Sequence, residues 1–99
     1  MKQFVLKLYI AGRTQRTEQA ISSLQEICEN DLASAYELSV IDVLERPQLA
    51  ENEKILATPT LVRELPPPLR RVVGDLSNRE RVLVGLDLAI RDTLDQGKN

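Results

Sequence analysis

Carboxylates are plentiful in this sequence, with 15 aspartates and glutamates, but no pair of catalytic acids can be picked out among them. The 99 residues include no histidine and one cysteine, Cys28. Without histidine, neither a Ser-His-Asp nor a Cys-His catalytic arrangement can form, and the commonest metal ligand is missing. One cysteine cannot make a CxxC redox pair or a zinc knuckle within a single chain. The sequence therefore predicts a protein that acts by binding, without catalytic residues, metal or cofactor.

The reactive side chains that are present have simpler interpretations. Cys28 lies on an apolar stripe at helical spacing, where a small core residue is far commoner than a reactive thiol. Glu51 and Glu53 lie on a predicted surface helix, where carboxylates are normally solvated. The four glycines are too far apart for a phosphate-binding loop. The three arginines that flank a proline run are either a basic patch for an acidic partner or ordinary solubilising charge; they are Arg63, Arg70 and Arg71.

Composition limits the class of protein further. The length fits one domain, and an aromatic content of 3% means that the core must be aliphatic. A net charge of −2 argues against nucleic-acid binding, which needs a basic surface. No apolar run is long enough to span a membrane. Lys7 interrupts the apolar N-terminal run, which therefore fits a strand better than a signal peptide. We expect a cytoplasmic protein.

The first half of the sequence predicts a strand, a helix and a second strand. Residues 3–10 are rich in β-branched and aromatic side chains. Thr14 is a plausible N-cap for a helix that ends near Asn30. Residues 36–43 form the second predicted strand. The apolar residues of the helix share one face; they are Ala20, Ile21, Leu24, Ile27 and Cys28. This order predicts an α/β fold with a right-handed βαβ unit and parallel strands.

The second half is less regular. A short helix is predicted from Arg46 to Lys54, followed by strands at residues 57–61 and 70–73. The prolines at 66–68 exclude a regular helix between those strands. The last segment, RVLVGLDLAIRD at residues 81–92, fits both period-two strand alternation and helical spacing. A predicted capping box, Ser77 to Glu80, favours the helix.

The element order also resembles the thioredoxin-like fold. That fold has a strand, helix and strand, followed by a cis-proline before the third strand. Thr58-Pro59-Thr60 stands at the corresponding place. The loop at residues 12–17 matches the redox loop but carries threonines where redox members have cysteines. The resemblance implies the scaffold without its redox chemistry.

Three long segments resemble the circadian clock protein family KaiB. They are VLKLYIAG (residues 5–12), VIDVLERPQLAENEKILATPTL (residues 40–61) and LPPPLRRVVGDLSNRERVLVGLDL (residues 65–88). The resemblance runs from about Val5 to Ile90. It implies a non-enzymatic regulator with one KaiB-like domain over residues 1–99, in which a βαβ half (1–50) precedes a fold-switching half (51–91) and a polar tail (92–99).

The KaiB resemblance implies two folds for one sequence. The resting form would be a homotetramer, a dimer of dimers, in which residues 82–90 form a strand. The rarer form would be a thioredoxin-like monomer in which these residues are helical. That form would bind the N-terminal ATPase ring of a KaiC-type hexamer and promote its dephosphorylation phase. It could also sequester KaiA, and would compete with the thioredoxin-like domain of a SasA-type histidine kinase.

The same resemblance implies specific site residues. Positions that match the KaiC-binding surface are Lys7, Lys54, Ala57, Thr58, Pro59 and Thr60. Positions that match the control of fold switching are Pro67, Gly85, Asp87 and Ile90. The residues themselves support a near balance, because glycine within a helix costs about 1 kcal/mol relative to alanine and aspartate is also unfavourable there. We therefore expect Gly85→Ala and Asp87→Arg to favour the helical form.

The sequence departs from clock-type KaiB proteins at several positions. Arg13, Gln15 and Arg16 stand where those members have an asparagine- and proline-containing loop. Ser39 stands in place of a lysine that helps to engage KaiA, and Ile90 in place of an aromatic residue. These changes leave KaiC binding expected, and they leave open whether the chain captures KaiA or is a divergent, non-clock homologue.

Two other interpretations remain open from the sequence. One is a thioredoxin-like adaptor without redox activity, which would serve stress or histidine-kinase signalling. The other is a redox or peroxide-handling enzyme, against which the missing CxxC argues. Binding to KaiC separates the regulator from the adaptor, and a Cys28→Ser variant tests the enzyme.

Overall fold

The strands and helices follow the predicted order, but the third strand begins at Thr60 and not at residue 57. The structure is a computed structural model that describes residues 4–32 and 35–87. Within these ranges the elements in chain order are β1 (Phe4–Ile10), α1 (Gln15–Asp31), β2 (Tyr36–Asp42), α2 (Pro47–Asn52), β3 (Thr60–Leu65), β4 (Arg70–Val73) and α3 (Arg79–Gly85). In these two ranges, no helix has both the length and the apolar character needed to cross a bilayer.

The four strands form one mixed sheet in the order β2-β1-β3-β4. β1 and β2 are parallel, and Lys7 lies opposite Ser39. β3 pairs antiparallel with β1, and β4 pairs antiparallel with β3. The parallel pair joined by α1 confirms the predicted βαβ unit. The result is a mixed α/β domain with a thioredoxin-like arrangement of elements.

The hydrophobic core lies between one face of the sheet and the helices α1 and α3. Alternate residues of β1, namely Leu6, Leu8 and Ile10, are buried on this face. The apolar stripe of α1 packs against them and includes Cys28, which confirms its predicted role as a core residue. From α3 and the turn that follows it, the core receives Val82, Leu83 and Leu86. Burial of these aliphatic side chains is the main stabilising contribution to the fold.

The N-terminus of α1 is closed by a capping box, which confirms the prediction for Thr14. Its side chain accepts a hydrogen bond from the backbone N–H of Thr17 at 3.2 Å. In return, the backbone N–H of Thr14 donates to the hydroxyl of Thr17 at 2.8 Å. Two backbone donors that a helix start leaves unpaired are thereby satisfied.

We expect the substitution Thr14→Ala to lower the free energy of unfolding by about 1 kcal/mol, because alanine cannot accept the capping hydrogen bond. Ser22→Ala provides the control, since Ser22 is an exposed residue within the same helix. Urea unfolding followed by circular dichroism measures both variants. Equal stability of the two variants would contradict the role of the capping box.

The ambiguous segment is helical at its start in this structure, where α3 spans Arg79–Gly85. The predicted capping residue was wrong by one position. Asn78 is the N-cap, and its side chain accepts from the N–H of Arg81 at 2.9 Å. Ser77 instead donates from its hydroxyl and from its backbone N–H to Asp75.

Candidate partner-binding site

Most of the predicted partner-binding residues fall in one loop, the α2–β3 loop (residues 53–59). Lys54, Ala57 and Thr58 are exposed there, and Pro59 is partly buried. Lys54 has a positive φ of 56°, which turns the chain sharply after α2. The side chain of Leu56 is 96% exposed, although it is a large aliphatic residue. Burial of this leucine against another protein would remove its apolar surface from water, which is favourable.

Hydrogen bonds hold the α2–β3 loop in place. The guanidinium of Arg71, on β4, donates to the carbonyl of Glu53 at 2.6 Å and to that of Lys54 at 3.3 Å. The hydroxyl of Thr60 donates to the carbonyl of Ala57 at 2.6 Å. Because Thr60 is itself buried, it supports the loop from below, and its side chain does not reach the surface. The loop therefore presents Leu56 on an ordered frame.

Lys7 lies on the same side of the sheet as this loop. In the strand register Lys7 and Arg71 both stand opposite Val62, so the three side chains share one face. The ammonium of Lys7 forms an ion pair with Glu64 at 3.0 Å. The hydrogen bond with Glu64 raises the pKa of Lys7. Its charge is thus partly matched within the fold, whereas Lys54 forms no ion pair with any described residue.

A cleft of about 990 Å³ lies where redox thioredoxins carry their cysteines. The start of α1, the Thr58-Pro59 turn and residues 74–77 line it, and the Thr58-Pro59 peptide bond is cis. Thr14 and Thr17 stand at its edge, and their hydroxyls take part in the capping box. Thr17 also donates to the carbonyl of Gly12 at 3.1 Å. At the position where redox thioredoxins have their cysteine pair, these two threonines therefore cap the start of α1.

Cys28 is far from being a nucleophile at neutral pH. Burial raises the pKa of its thiol to about 12. Because the folded-state pKa lies above the ordinary value, the thiolate forms only as the pH approaches that value. We expect iodoacetamide to leave Cys28 unmodified at pH 8 in the folded protein and to alkylate it in urea, as measured by mass spectrometry. Rapid alkylation of the folded protein would reopen the redox interpretation.

The three arginines flanking the proline run have separate roles, and they do not form the proposed basic patch. Arg63 is buried within the fold, and Arg71 is committed to the carbonyls of the α2–β3 loop. Arg70 is exposed. Of the three arginines, only Arg70 therefore fits the interpretation as ordinary solubilising charge. The buried position of Arg63 follows from the alternation of β3, in which Leu61 and Arg63 face the same side.

Two further residues were missed. Leu56 stands just outside the predicted binding segment, and the apolar pair Ile55-Leu56 after a short polar helix could have indicated it. Asp42, at the end of β2, accepts from the N–H of Gly12 and of Leu44, both at 2.9 Å. Gly12 has φ of 79°, a conformation that favours glycine. Asp42 thereby joins the loops that follow both parallel strands.

The predicted switch residues lie around the end of α3 and in the proline loop. Gly85 is the last residue of α3, and Asp87 follows the helix with φ of 63°. The prediction that both stand in a helix interior was therefore wrong. Pro67 is exposed in the loop between β3 and β4. Ile90 lies outside the described residues, as do residues 88–99 as a whole.

Gly85 packs closely against β4. A β-carbon at this position would overlap with Cγ2 of Val72, a stiff β-branched side chain in the core. In Gly85→Ala the gain in helix propensity is at most about 1 kcal/mol, whereas overpacking costs about 1–3 kcal/mol. We therefore expect Gly85→Ala alone not to favour the helical form, in contrast to the expectation from propensity. The double variant Gly85→Ala/Val72→Ala should recover part of the gain, which a double-mutant cycle measures.

The fold places the chain among thioredoxin-like proteins that lack the cysteine pair. Solved structures share the fold. The N-terminal domain of Synechococcus elongatus SasA is similar with a TM-score of 0.74 and 22% identity, over 92% of this chain and 87% of that one. Mitochondrial thioredoxin 3 from Saccharomyces cerevisiae is similar with a TM-score of 0.68 and 17% identity, over 88% of this chain and 79% of that one. At these identities the likeness concerns the fold alone.

Sequence comparison defines the family. The KaiB domain model matches residues 7–88. The circadian clock oscillator protein KaiB of Thermostichus vulcanus is 55% identical over 98 residues, which is 99% of this chain and 91% of the relative. The KaiB protein of Prochlorococcus marinus strain MIT 9312 is 60% identical over 87 residues, 88% of this chain and 83% of the relative. The chain belongs to the KaiB family, and these comparisons support a circadian clock role.

Proposed function

We propose that this chain is a non-enzymatic regulator that binds the N-terminal ATPase ring of a KaiC-type hexamer in the thioredoxin-like fold. The observation that carries the proposal is the α2–β3 loop, where exposed Leu56 stands between Lys54 and Ala57 on an ordered frame. Family membership and likeness to the N-terminal domain of SasA give this surface its context.

The chemistry of the loop suits a large acidic partner with an apolar pocket. A fully exposed leucine gains from burial upon binding, at about 25 cal/mol per Å² of apolar surface removed from water. Lys54 contributes attraction to acidic groups, which mainly raises the association rate. Arg71 and Thr60 fix the loop beforehand, so little ordering is required when it binds. Leu56 is thus the anchor of the proposed surface, and Lys54 the steering charge.

The proposal includes a second, resting fold. In that fold the chain would be a homotetramer, with the segment that begins as α3 in strand conformation. Only the thioredoxin-like form would bind the ring, so the apparent affinity would fall in proportion to the population of that form. Ring binding would promote the dephosphorylation phase of the partner. The protein would act in the cytoplasm, where it would meet the hexamer.

Two further partners belong to the proposal. A SasA-type histidine kinase would compete for the ring, because its N-terminal domain has a similar fold. KaiA would be sequestered by the ring-bound chain through β2, which is an edge strand of the sheet. Ser39 is the residue of β2 at which the sequence departs from clock-type members.

Size-exclusion chromatography with a purified KaiC hexamer from the same organism tests the proposal. We expect the wild-type chain to co-elute with the hexamer and Lys54→Glu to do so weakly. Arg46→Glu is the matched control, since it changes the net charge equally at the opposite end of α2 and should bind as wild type. A wild-type chain that stays separate from the hexamer after long incubation would overturn the proposal.

A second candidate function is a thioredoxin-like adaptor in stress or histidine-kinase signalling. The thioredoxin-like fold, which this chain shares with the SasA N-terminal domain, is compatible with such an adaptor. An adaptor would bind a partner other than the hexamer, so the same chromatography experiment separates the two functions.

A further inference from the structure

Arg63 is a charged residue in the core of the fold. It lies on β3, and only 1% of its surface is exposed. One guanidinium nitrogen donates to the carbonyl of Leu86 at 2.7 Å, and another donates to the carbonyl of Pro68 at 3.0 Å. The two carbonyls belong to segments that are 18 residues apart in sequence (86 − 68). A single buried cation therefore joins the end of α3 to the proline loop.

The Leu86 carbonyl lies at the end of a helix, where a backbone carbonyl needs a hydrogen-bond donor from elsewhere in the chain. Leu86 is the C-cap of α3. The last carbonyls of a helix receive no hydrogen bond from an N–H of the same helix. Leu86 is also buried, so water does not replace the missing donor. A positively charged donor is the favourable partner at the negative end of a helix. Arg63 supplies it across the core, from 23 residues away.

We propose that Arg63 is a positioning residue that locks the C-terminal end of α3 in the thioredoxin-like fold, and thereby sets the population of the partner-binding form. The part that concerns the binding form rests on the proposed function. The part that concerns α3 stands on the two hydrogen bonds alone.

The lock acts selectively because a buried charge is costly without its partners. Removal of an arginine from water is compensated only where well-placed acceptors meet it. In this fold the carbonyls of Leu86 and Pro68 are acceptors of this kind. If residues 82–90 form a strand, the Leu86 carbonyl lies in an extended backbone and no longer ends a helix over Arg63. An interaction that differs between two folds is what shifts their populations.

Two other arginines attach α3 to the fold, but at the surface. Arg79 pairs with Asp31 at the end of α1, and Arg81 donates to the carbonyls of Val73 and Asp75. Both arginines are exposed, and exposed pairs contribute little to stability. Both also hold the N-terminal half of α3. Arg63 differs from them in its burial and in holding the opposite end of the helix.

Native-state amide hydrogen exchange tests the lock directly. The variants are Arg63→Lys, which keeps the charge but cannot reach both carbonyls with a planar fork, and Arg63→Met, which removes the charge. Arg70→Lys and Arg70→Met are matched controls on the adjacent, exposed position of β4. We expect the amides of Leu86 and Asp87 to exchange about tenfold faster in Arg63→Lys, and faster still in Arg63→Met. The amides of the β1–β2 pair should keep their protection.

Two results would overturn the lock. One is unchanged exchange at Leu86 and Asp87, and the other is an equal loss of protection in β1 and α3, which would indicate general destabilisation.

The effect of Arg63 on partner binding is tested in a separate experiment. We expect Arg63→Lys to associate with the KaiC ring more slowly than the wild type while its dissociation rate stays unchanged. Equal association rates would overturn the population effect, whereas a wild type that does not bind would count against the proposed function.

Discussion

The substitution Gly85→Val is expected to weaken binding to the KaiC ring by about thirtyfold, because it disfavours the thioredoxin-like fold. The last residue of α3 already lacks room for a β-carbon beside Val72. Overpacking of a core costs about 1–3 kcal/mol, and 2 kcal/mol corresponds to a factor of about thirty in population. Valine also favours an extended strand more than glycine does. Surface plasmon resonance with immobilised hexamer measures the affinity.

The control for this variant is Val84→Ile. Val84 is the preceding residue of the same helix, but it is exposed, so an added methylene meets no core side chain. We expect Val84→Ile to bind within about twofold of wild type. If Gly85→Val bound as tightly as Val84→Ile, then the close packing of α3 against β4 would not belong to the form that binds.

The second large effect is expected from Leu56→Asp, which should lower the affinity for the ring by at least about tenfold without a change in stability. The leucine side chain is 96% exposed and so contributes little to folding. Exposed substitutions of this kind usually change the free energy of unfolding by less than about 0.5 kcal/mol. Aspartate at this position would remove the apolar side chain and would repel the acidic partner surface on which the proposed function rests.

Leu44→Asp is the matched control for Leu56→Asp. Leu44 is 71% exposed and lies in the turn after β2, outside the α2–β3 loop. The two variants make the same chemical change, so a difference in affinity between them would show that the position of the leucine matters for binding. We expect Leu44→Asp to bind as wild type. Equal losses in both variants would mean that net charge, and not the α2–β3 loop, governs association.

The regular first half of the fold could be predicted closely from the sequence. The apolar stripe that includes Leu24 and Cys28 specified α1, and Thr14 marked its start. The two strand patterns on either side gave the parallel pair. These features depend on local periodicity and on capping chemistry, which are visible in the order of residues.

The second half was harder to predict because its key contacts join residues that are distant in sequence. The buried position of Arg63 depends on carbonyls from the proline loop and from the end of α3. Arg71 and the α2–β3 loop are likewise joined only in the folded chain. The N-cap of α3 is Asn78 and not Ser77, whose hydroxyl and backbone N–H donate to Asp75. None of these contacts produces a periodic pattern.

The candidate site was predicted in part. The resemblance to the KaiB family indicated Lys54 and the segment from Ala57 to Thr60, which do lie together. The roles within the site needed the structure. Thr60 supports the loop from inside, Lys7 is paired with Glu64, and Leu56 supplies the exposed apolar surface. A resemblance identifies positions, whereas burial and hydrogen bonds assign what each position does.

The most direct test of the central claim is the conformation of residues 82–86 in the ring-bound chain. Carbon-13 chemical shifts of these residues can be measured by NMR on labelled chain, free and bound to an unlabelled, deuterated N-terminal ring of KaiC. We expect helical Cα shifts in the bound state, together with proximity of the Gly85 α-protons to the methyl groups of Val72. Extended-strand shifts in the bound state would contradict the claim that the thioredoxin-like fold is the form that binds.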